Sequence, residues 1–293
     1  SKYMDIVELT LYNSVLSGVS LNGINFFYTN ALAASANYPY HLRWEGGRVP
    51  YISKSNCCPP NVVRTIAEVN DYMYSIGEQG LYINMYGGNI LQTELHEGTK
   101  VKLEQTTNYP WDGKIVINVK ELSSPSAGIY LRIPGWCKKY DIKINGKLPE
   151  MYGMKNGFIA TDMREGDKIE LILHMPATLL ESNPLVEETK NRVTVKRGPI
   201  VYCIESADLP NQNVFDVVIP ANIKLQPLPM KIAEGNIMAL TGQAKIMQSS
   251  NWNNTLYKEV NTNYKPVNIK LIPYYAWANR GKTDMTVWMN LAR

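Results

Sequence analysis

Two adjacent cysteines, Cys57 and Cys58, followed by Pro59 and Pro60 and then by an amphipathic run, are the residues of this chain best suited to chemistry. A thiol acts as a nucleophile or a metal ligand only as thiolate, and a helix N-terminus favours that form through unpaired backbone N–H groups and the positive end of the dipole. The prolines fit a first helical turn and fix the chain entering it, so both sulfurs are expected at the mouth of a helix. Two soft thiolates on one rigid turn suit zinc, although a closed tetrahedral site needs two further ligands and no obvious pair is at hand. A disulfide between neighbours is disfavoured, because Cα atoms about 3.8 Å apart fall short of the usual span. The bland alternative is an inert core pair, since cysteine thiols are among the most buried side chains. Cys137 and Cys203 sit in the strand-like runs RIPGWC and VYCIE, where a core role is expected. Four cysteines in 293 residues are too few for a disulfide framework.

The elements that position the pair can be read from hydrophobic periodicity. Tyr3, Ile6, Val7, Leu9, Leu11, Val15 and Leu16 recur at spacings of three and four, and Gly18 follows as a stop, which predicts a helix over 2–18. NGINFFYTN reads as a short strand or hairpin, and residues 31–56 as a long aromatic loop of the kind that is usually functional or mobile. Val62, Val63, Ile66, Val69, Met73 and Tyr74 predict a second helix running from the cysteines to near Gly77. Past residue 80 the period drops to two in LYINMYGG, KVKLEQTT, KIVINVKE, GIYLRIPGW, YDIKING, GFIATD and DKIELILHMP, which argues for an antiparallel sandwich. Further strands follow in RVTVKRGPIVYCIE, FDVVIPANIKLQPL, IMALTGQAKIM, VNIKLIPYYAW and MTVWMNL. The expected organisation is a helical part over 1–78, a sandwich over 79–205, and a second β-rich domain over 206–293 whose last strands pack back on the first sandwich.

Composition excludes several classes. Thirty basic against 26 acidic residues give a net charge of +4 with no long Lys/Arg cluster, so a nucleic-acid partner has no electrostatic footprint. No run of about 18 apolar residues is available to span a bilayer. The opening SKYMDIVELTLYNSVL is broken by Asp5 and Glu8 and is not a signal peptide. Because it starts without Met and inside a helical run, more protein is expected upstream.

The run NCCPPNVVRTIAEVNDYMYS, with ELTLYNSVLSGVSLNGINFFYTN, YLRIPGW, KRGPIVYCIE and IPYYAWANRG, resembles the zinc-dependent β-L-arabinofuranosidases of glycoside hydrolase family 127 and their relatives. The resemblance implies the last helices of an (α/α)6 barrel followed by antiparallel β-sandwich domains, an α+β multidomain fold. It implies Cys57 as nucleophile and zinc ligand, Cys58 as zinc ligand only, and a retaining double displacement through a thioglycosyl intermediate. This is the two-carboxylate scheme with sulfur in place of one carboxylate. The glutamate acid/base and the Glu-x-Cys ligands of the family are expected upstream, since no Glu-x-Cys occurs here. Glu8 matches a family position and faces either the sugar pocket or solvent. His41, Arg43 and Trp44 resemble a His/Arg/Trp cluster that precedes the family's cysteines, although EGGRVPYISKSN departs from the usual text; Trp44 could stack on a sugar face and Arg43 bond hydroxyls. His96 and His174 have no partners nearby in sequence and are expected to be structural.

The implied partners are a glycan substrate, the upstream part of the barrel and, by resemblance, a second copy in a homodimer. A bacterial, plant-glycan-degrading setting is implied, with export or a cytoplasmic location both open. The competing class is a noncatalytic carbohydrate-binding or scaffolding protein in which the cysteine pair is inert.

Overall fold

The computed structural model describes residues 1–35, 48–50, 57–149, 153–248, 253–260 and 263–293. The first helix, α1 (Lys2–Leu9), continues as a π-helical turn, Thr10–Val15, and Gly18 closes it by donating its N–H to the Val15 carbonyl (3.0 Å). The second helix, α2 (Cys58–Ala67), is shorter than its periodicity suggests. After Ala67 come a 3-10 turn, Val69–Tyr72, and a strand, Tyr74–Gly77, so Met73 and Tyr74 leave the helix. Two local causes combine. Asn70 and Asp71 are poor helix formers, and Tyr74–Gly77 forms a hairpin with Gly80–Ile83 in which Gly77 faces Gly80. Gly80 has φ +135, and a Cβ there would lie 2.1 Å from the Gly128 carbonyl oxygen, so only glycine fits.

The chain forms two compact units, each built from separated stretches: Ser1–Leu11 with Val63–Pro176, and Tyr12–Val62 with Ala177–Arg293. The first holds two five-stranded sheets. One runs Tyr140–Ile144, Lys168–Leu173, Lys114–Leu122, Lys100–Thr107, Asn89–Glu94, antiparallel throughout. The other runs Gly153–Lys155, Phe158–Met163, Ala127–Arg132, Gly80–Ile83, Tyr74–Gly77, with one parallel pairing where Tyr82 lies beside Tyr130. Alternate residues of both sheets are shut from solvent, including Leu103, Ile115, Ile117, Ile169 and Leu171 on one and Leu81, Ile83, Ile129, Leu131 and Ile159 on the other. That period of two is the sandwich pattern read from the sequence.

The second unit contains a ten-stranded sheet. Its pairings close on themselves. Arg192–Arg197 pairs with Met289–Ala292, which pairs with Val217–Pro220, then Gly235–Met247, Tyr264–Pro273 and Ile200–Glu205, which returns to Arg192–Arg197. The units therefore divide at Pro176/Ala177 rather than near 206. The polar, Pro-rich stretch after 206 suggested a boundary, yet the strands on either side of it share one hydrogen-bonded circuit. Within that circuit Met289–Ala292 pairs with Arg192–Arg197, and Tyr264–Pro273 with Ile200–Glu205.

Candidate functional site

Cys57 is the cap residue of α2. Its carbonyl accepts the Asn61 backbone N–H at 3.0 Å and the Asn61 side-chain amide at 2.8 Å, which pins the start of the helix. The Cys57 side chain is exposed and that of Cys58 partly so, and neither is in a disulfide. Their Sγ atoms lie 3.4 Å apart. The prolines alter the expected electrostatics, because Pro59 and Pro60 occupy the second and third helical positions and bring no N–H. The N-terminal donors that would solvate a thiolate are thereby reduced, and an anion at Cys57 depends more on the dipole or on a cation.

Two sulfurs bound at about 2.3 Å to a tetrahedral zinc sit about 3.8 Å apart, so the observed pair is close to chelating distance. The donor set is right for zinc but supplies two positions of four. Among the described residues no group of three or more His, Cys, Asp or Glu side chains could hold a metal.

Beneath the first turn of α2, Gly18 packs against Val62, one turn on from Cys58; a Cβ on Gly18 would stand 2.9 Å from Val62 Cγ2. The Gly18 carbonyl accepts the Phe27 N–H at 3.0 Å, and Asn25–Phe26 pairs with Val49–Pro50. NGINFFYTN thus contributes a short strand, as its alternation suggested.

Glu8 is not a solvated helix carboxylate. It is 1% exposed, and both of its oxygens are engaged within the first unit. Oε1 accepts from Arg132 Nη2 (2.7 Å) and the Tyr109 hydroxyl (2.5 Å), and Oε2 accepts from Trp136 Nε1 (3.1 Å). Asp5 takes the other arm of the same guanidinium, Arg132 Nη1, at 2.7 Å and the Gly135 N–H at 3.1 Å. Burial lowers the Arg132 pKa, but Glu8 and its other neighbours outweigh it and hold the guanidinium above its ordinary value. Arg132, Gly135 and Trp136 are the polar and turn residues of YLRIPGW, whose reading as a strand end concealed their role as the cradle of α1.

His41, Arg43 and Trp44 lie outside the described residues. Cys137 and Cys203 are buried as expected, and burial pushes both thiols up. His174 pairs with Asp141 at 2.6 Å, and His96 lies in a 3-10 turn, His96–Gly98.

Comparison with known proteins is consistent along the sequence. Residues 1–71 match the family profile of the β-L-arabinofuranosidase GH127 catalytic domain, 80–175 that of the GH127 middle domain, and 177–290 that of the glycoside hydrolase family 127 C-terminal domain. The chain belongs to glycoside hydrolase family 127. A curated relative, the non-reducing end β-L-arabinofuranosidase of Bifidobacterium longum subsp. longum, is 30% identical over 98% of this chain and 45% of its own length. A solved glycoside hydrolase superposes with a TM-score of 0.93 at 44% identity, covering 100% of this chain and 49% of that one. A GH127 β-L-arabinofuranosidase from Geobacillus stearothermophilus T6 superposes at 0.91 with 34% identity, covering 99% and 46%. The chain spans about half the length of these relatives.

Proposed function

We propose that these residues carry the nucleophile of a retaining, exo-acting glycoside hydrolase that removes terminal β-L-arabinofuranosyl groups. The observation that supports this most directly is the Cys57–Cys58 pair, 3.4 Å apart and open to solvent at the start of α2, within a chain of this family. Cys57 Sγ attacks the anomeric carbon, forming a C–S bond as the glycosidic C–O bond breaks and the leaving oxygen takes a proton from a carboxylic acid. Water, giving its proton to the carboxylate so formed, then displaces the sulfur from the face the leaving group vacated, returning the thiolate and giving net retention. Zinc, held by Cys57 and Cys58 together with donors beyond this chain, would keep the nucleophile deprotonated at neutral pH. Cys57 supplies the attacking atom, and Cys58 holds its neighbour's sulfur in register.

The acid/base glutamate and the remaining ligands are proposed to come from residues outside these 293, as part of an (α/α)6 barrel to which α1 and α2 contribute. The exposed apolar side chains of Tyr3 and Ile6 on α1, and of Val63 and Ile66 on α2, support that reading, since such faces are ordinarily covered. His41, Arg43 and Trp44 are proposed as sugar contacts, as is Glu8, whose oxygens would then be shared with Arg132 and Trp136.

The test measures zinc content and L-arabinose release from a chromogenic β-L-arabinofuranoside, for this chain and for a form extended to the relatives' length. Hydrolysis with about one zinc in the extended form alone is expected. Zinc without hydrolysis of that substrate would overturn the sugar assignment, and no zinc with inert thiols would overturn the catalytic reading.

A further inference from the structure

Arg48 belongs to the stretch EGGRVPYISKSN that departs from the family's usual text, and its guanidinium makes an unusual set of contacts. Nε donates to the Trp277 carbonyl at 3.2 Å, Nη1 to the Ser17 carbonyl at 2.8 Å and Nη2 to the Tyr275 carbonyl at 3.0 Å. The cation also lies 4.2 Å from the centre of the Phe27 ring, which stacks on Trp277 at 4.7 Å. Among the described residues no carboxylate forms an ion pair with it. Burial lowers its pKa to about 10, against the pull of Tyr274 and Glu205. A cation withdrawn from water to gather three neutral carbonyls is costly unless the geometry it fixes is needed.

One of those carbonyls leads to the thiols. Ser17 is followed by Gly18, whose Cα supports Val62 on α2, and Cys58 is the residue one turn earlier on the same face. Phe27, whose ring lies against Arg48, bonds back to the Gly18 carbonyl. The clamp, the turn and the helix start all belong to the second compact unit.

We propose that Arg48 is a positioning residue that fastens the Ser17–Gly18 turn beneath the first turn of α2 and so sets the spacing of the Cys57 and Cys58 thiols. A lysine retains the charge but not the three-way fork, so Arg48→Lys separates geometry from electrostatics. Gly18→Ala perturbs the other end of the same support by pushing on Val62. The proposal deepens the reading of the pair as the reactive site, and its test does not require turnover.

The experiment is capture of phenylarsine oxide, which needs two thiols side by side. Two As–S bonds form, and the two thiol protons leave with the oxide oxygen as water. The unmodified chain is expected to take up one arsenical at the cost of two thiols, and Cys57→Ser none. Arg48→Lys and Gly18→Ala are expected to capture at least about tenfold more slowly, in keeping with the cost of a displacement near 1 Å. Alkylation of Cys57 by a one-thiol reagent should be unchanged in both. Arg48→Ala should regain capture rate when guanidinium ion is added at concentrations too low to unfold the protein.

Capture at the unmodified rate in Arg48→Lys would overturn the proposal. If that variant does not fold, an unmodified rate in Gly18→Ala would overturn it equally. Failure of zinc binding or hydrolysis with capture still dependent on Arg48 would overturn the enzymatic reading and leave the positioning role standing.

Discussion

Arg132 and Glu8 form an ion pair at 2.7 Å with both side chains closed off from solvent, the guanidinium at 0% and the carboxylate at 1% exposure. The pair ties the start of the chain to the strand Ala127–Arg132, and the guanidinium also meets Asp5 and the Asn84 carbonyl.

Removing one member strands the other. Arg132→Met should destabilise the first unit by about 3–5 kcal/mol, because Glu8 is left buried with only Tyr109 and Trp136 as donors. Urea unfolding followed by tryptophan fluorescence checks it; a loss under about 1 kcal/mol would mean that α1 is held chiefly by packing.

Cys57→Ser and Cys58→Ser should differ in kind. If the proposed function holds, in a form extended to the relatives' length Cys57→Ser is expected to abolish turnover with the unfolding temperature unchanged, and Cys58→Ser to weaken zinc binding first and turnover as a result. Metal titration beside the arabinose-release assay distinguishes them. Appreciable activity in Cys57→Ser removes it as nucleophile, and unchanged zinc content in Cys58→Ser removes it as ligand.

Acid should weaken the second unit through Asp208. Burial disfavours its charged form, but Arg280 at 2.6 Å and Lys270 at 2.9 Å outweigh that and hold its pKa below the ordinary 3.8. A carboxylate with a lowered folded pKa contributes stability in full above its unfolded value and loses it as pH falls through the folded one. Asp208→Asn should therefore be less stable than the unmodified chain at neutral pH, with the difference closing below pH 3.8. Chemical denaturation at stepped pH reads this directly, and a difference independent of pH would contradict it.

Gly80→Ala should cost about 2 kcal/mol or more, since the new methyl would meet the Gly128 carbonyl in a backbone region closed to other residues. Gly146→Ala, in open space at φ +79, carries only the backbone penalty and is the matched control. Equal thermal shifts in the two would show that the strand contact relaxes freely.

Much of the fold was legible because strands with one buried face must alternate, and Lys100–Thr107 or Lys114–Leu122 do so without exception near their centres. The extent of α2 was not, since Val69 and Met73 keep helical spacing while Asn70 and Asp71 and the Gly77–Gly80 hairpin decide the backbone. The cysteine pair announced itself through residue type and its prolines. The partners of Glu8 did not, because Arg132 is separated from it by 124 positions and only the folded sheet brings them together. Arg48 carried no signal at all, its acceptors being backbone carbonyls that no side-chain pattern reveals.

The interleaving of the two units has a consequence for biosynthesis. The strands of the first unit's two sheets all precede Pro176, whereas Ala33–Ala34 must wait for Met285–Thr286 to leave the ribosome. During that interval the segment bearing Cys57 and Cys58 is without its partner strand. The register of the two sulfurs at the start of α2 is therefore among the last features of the fold to be fixed, although the residues that carry them are made early.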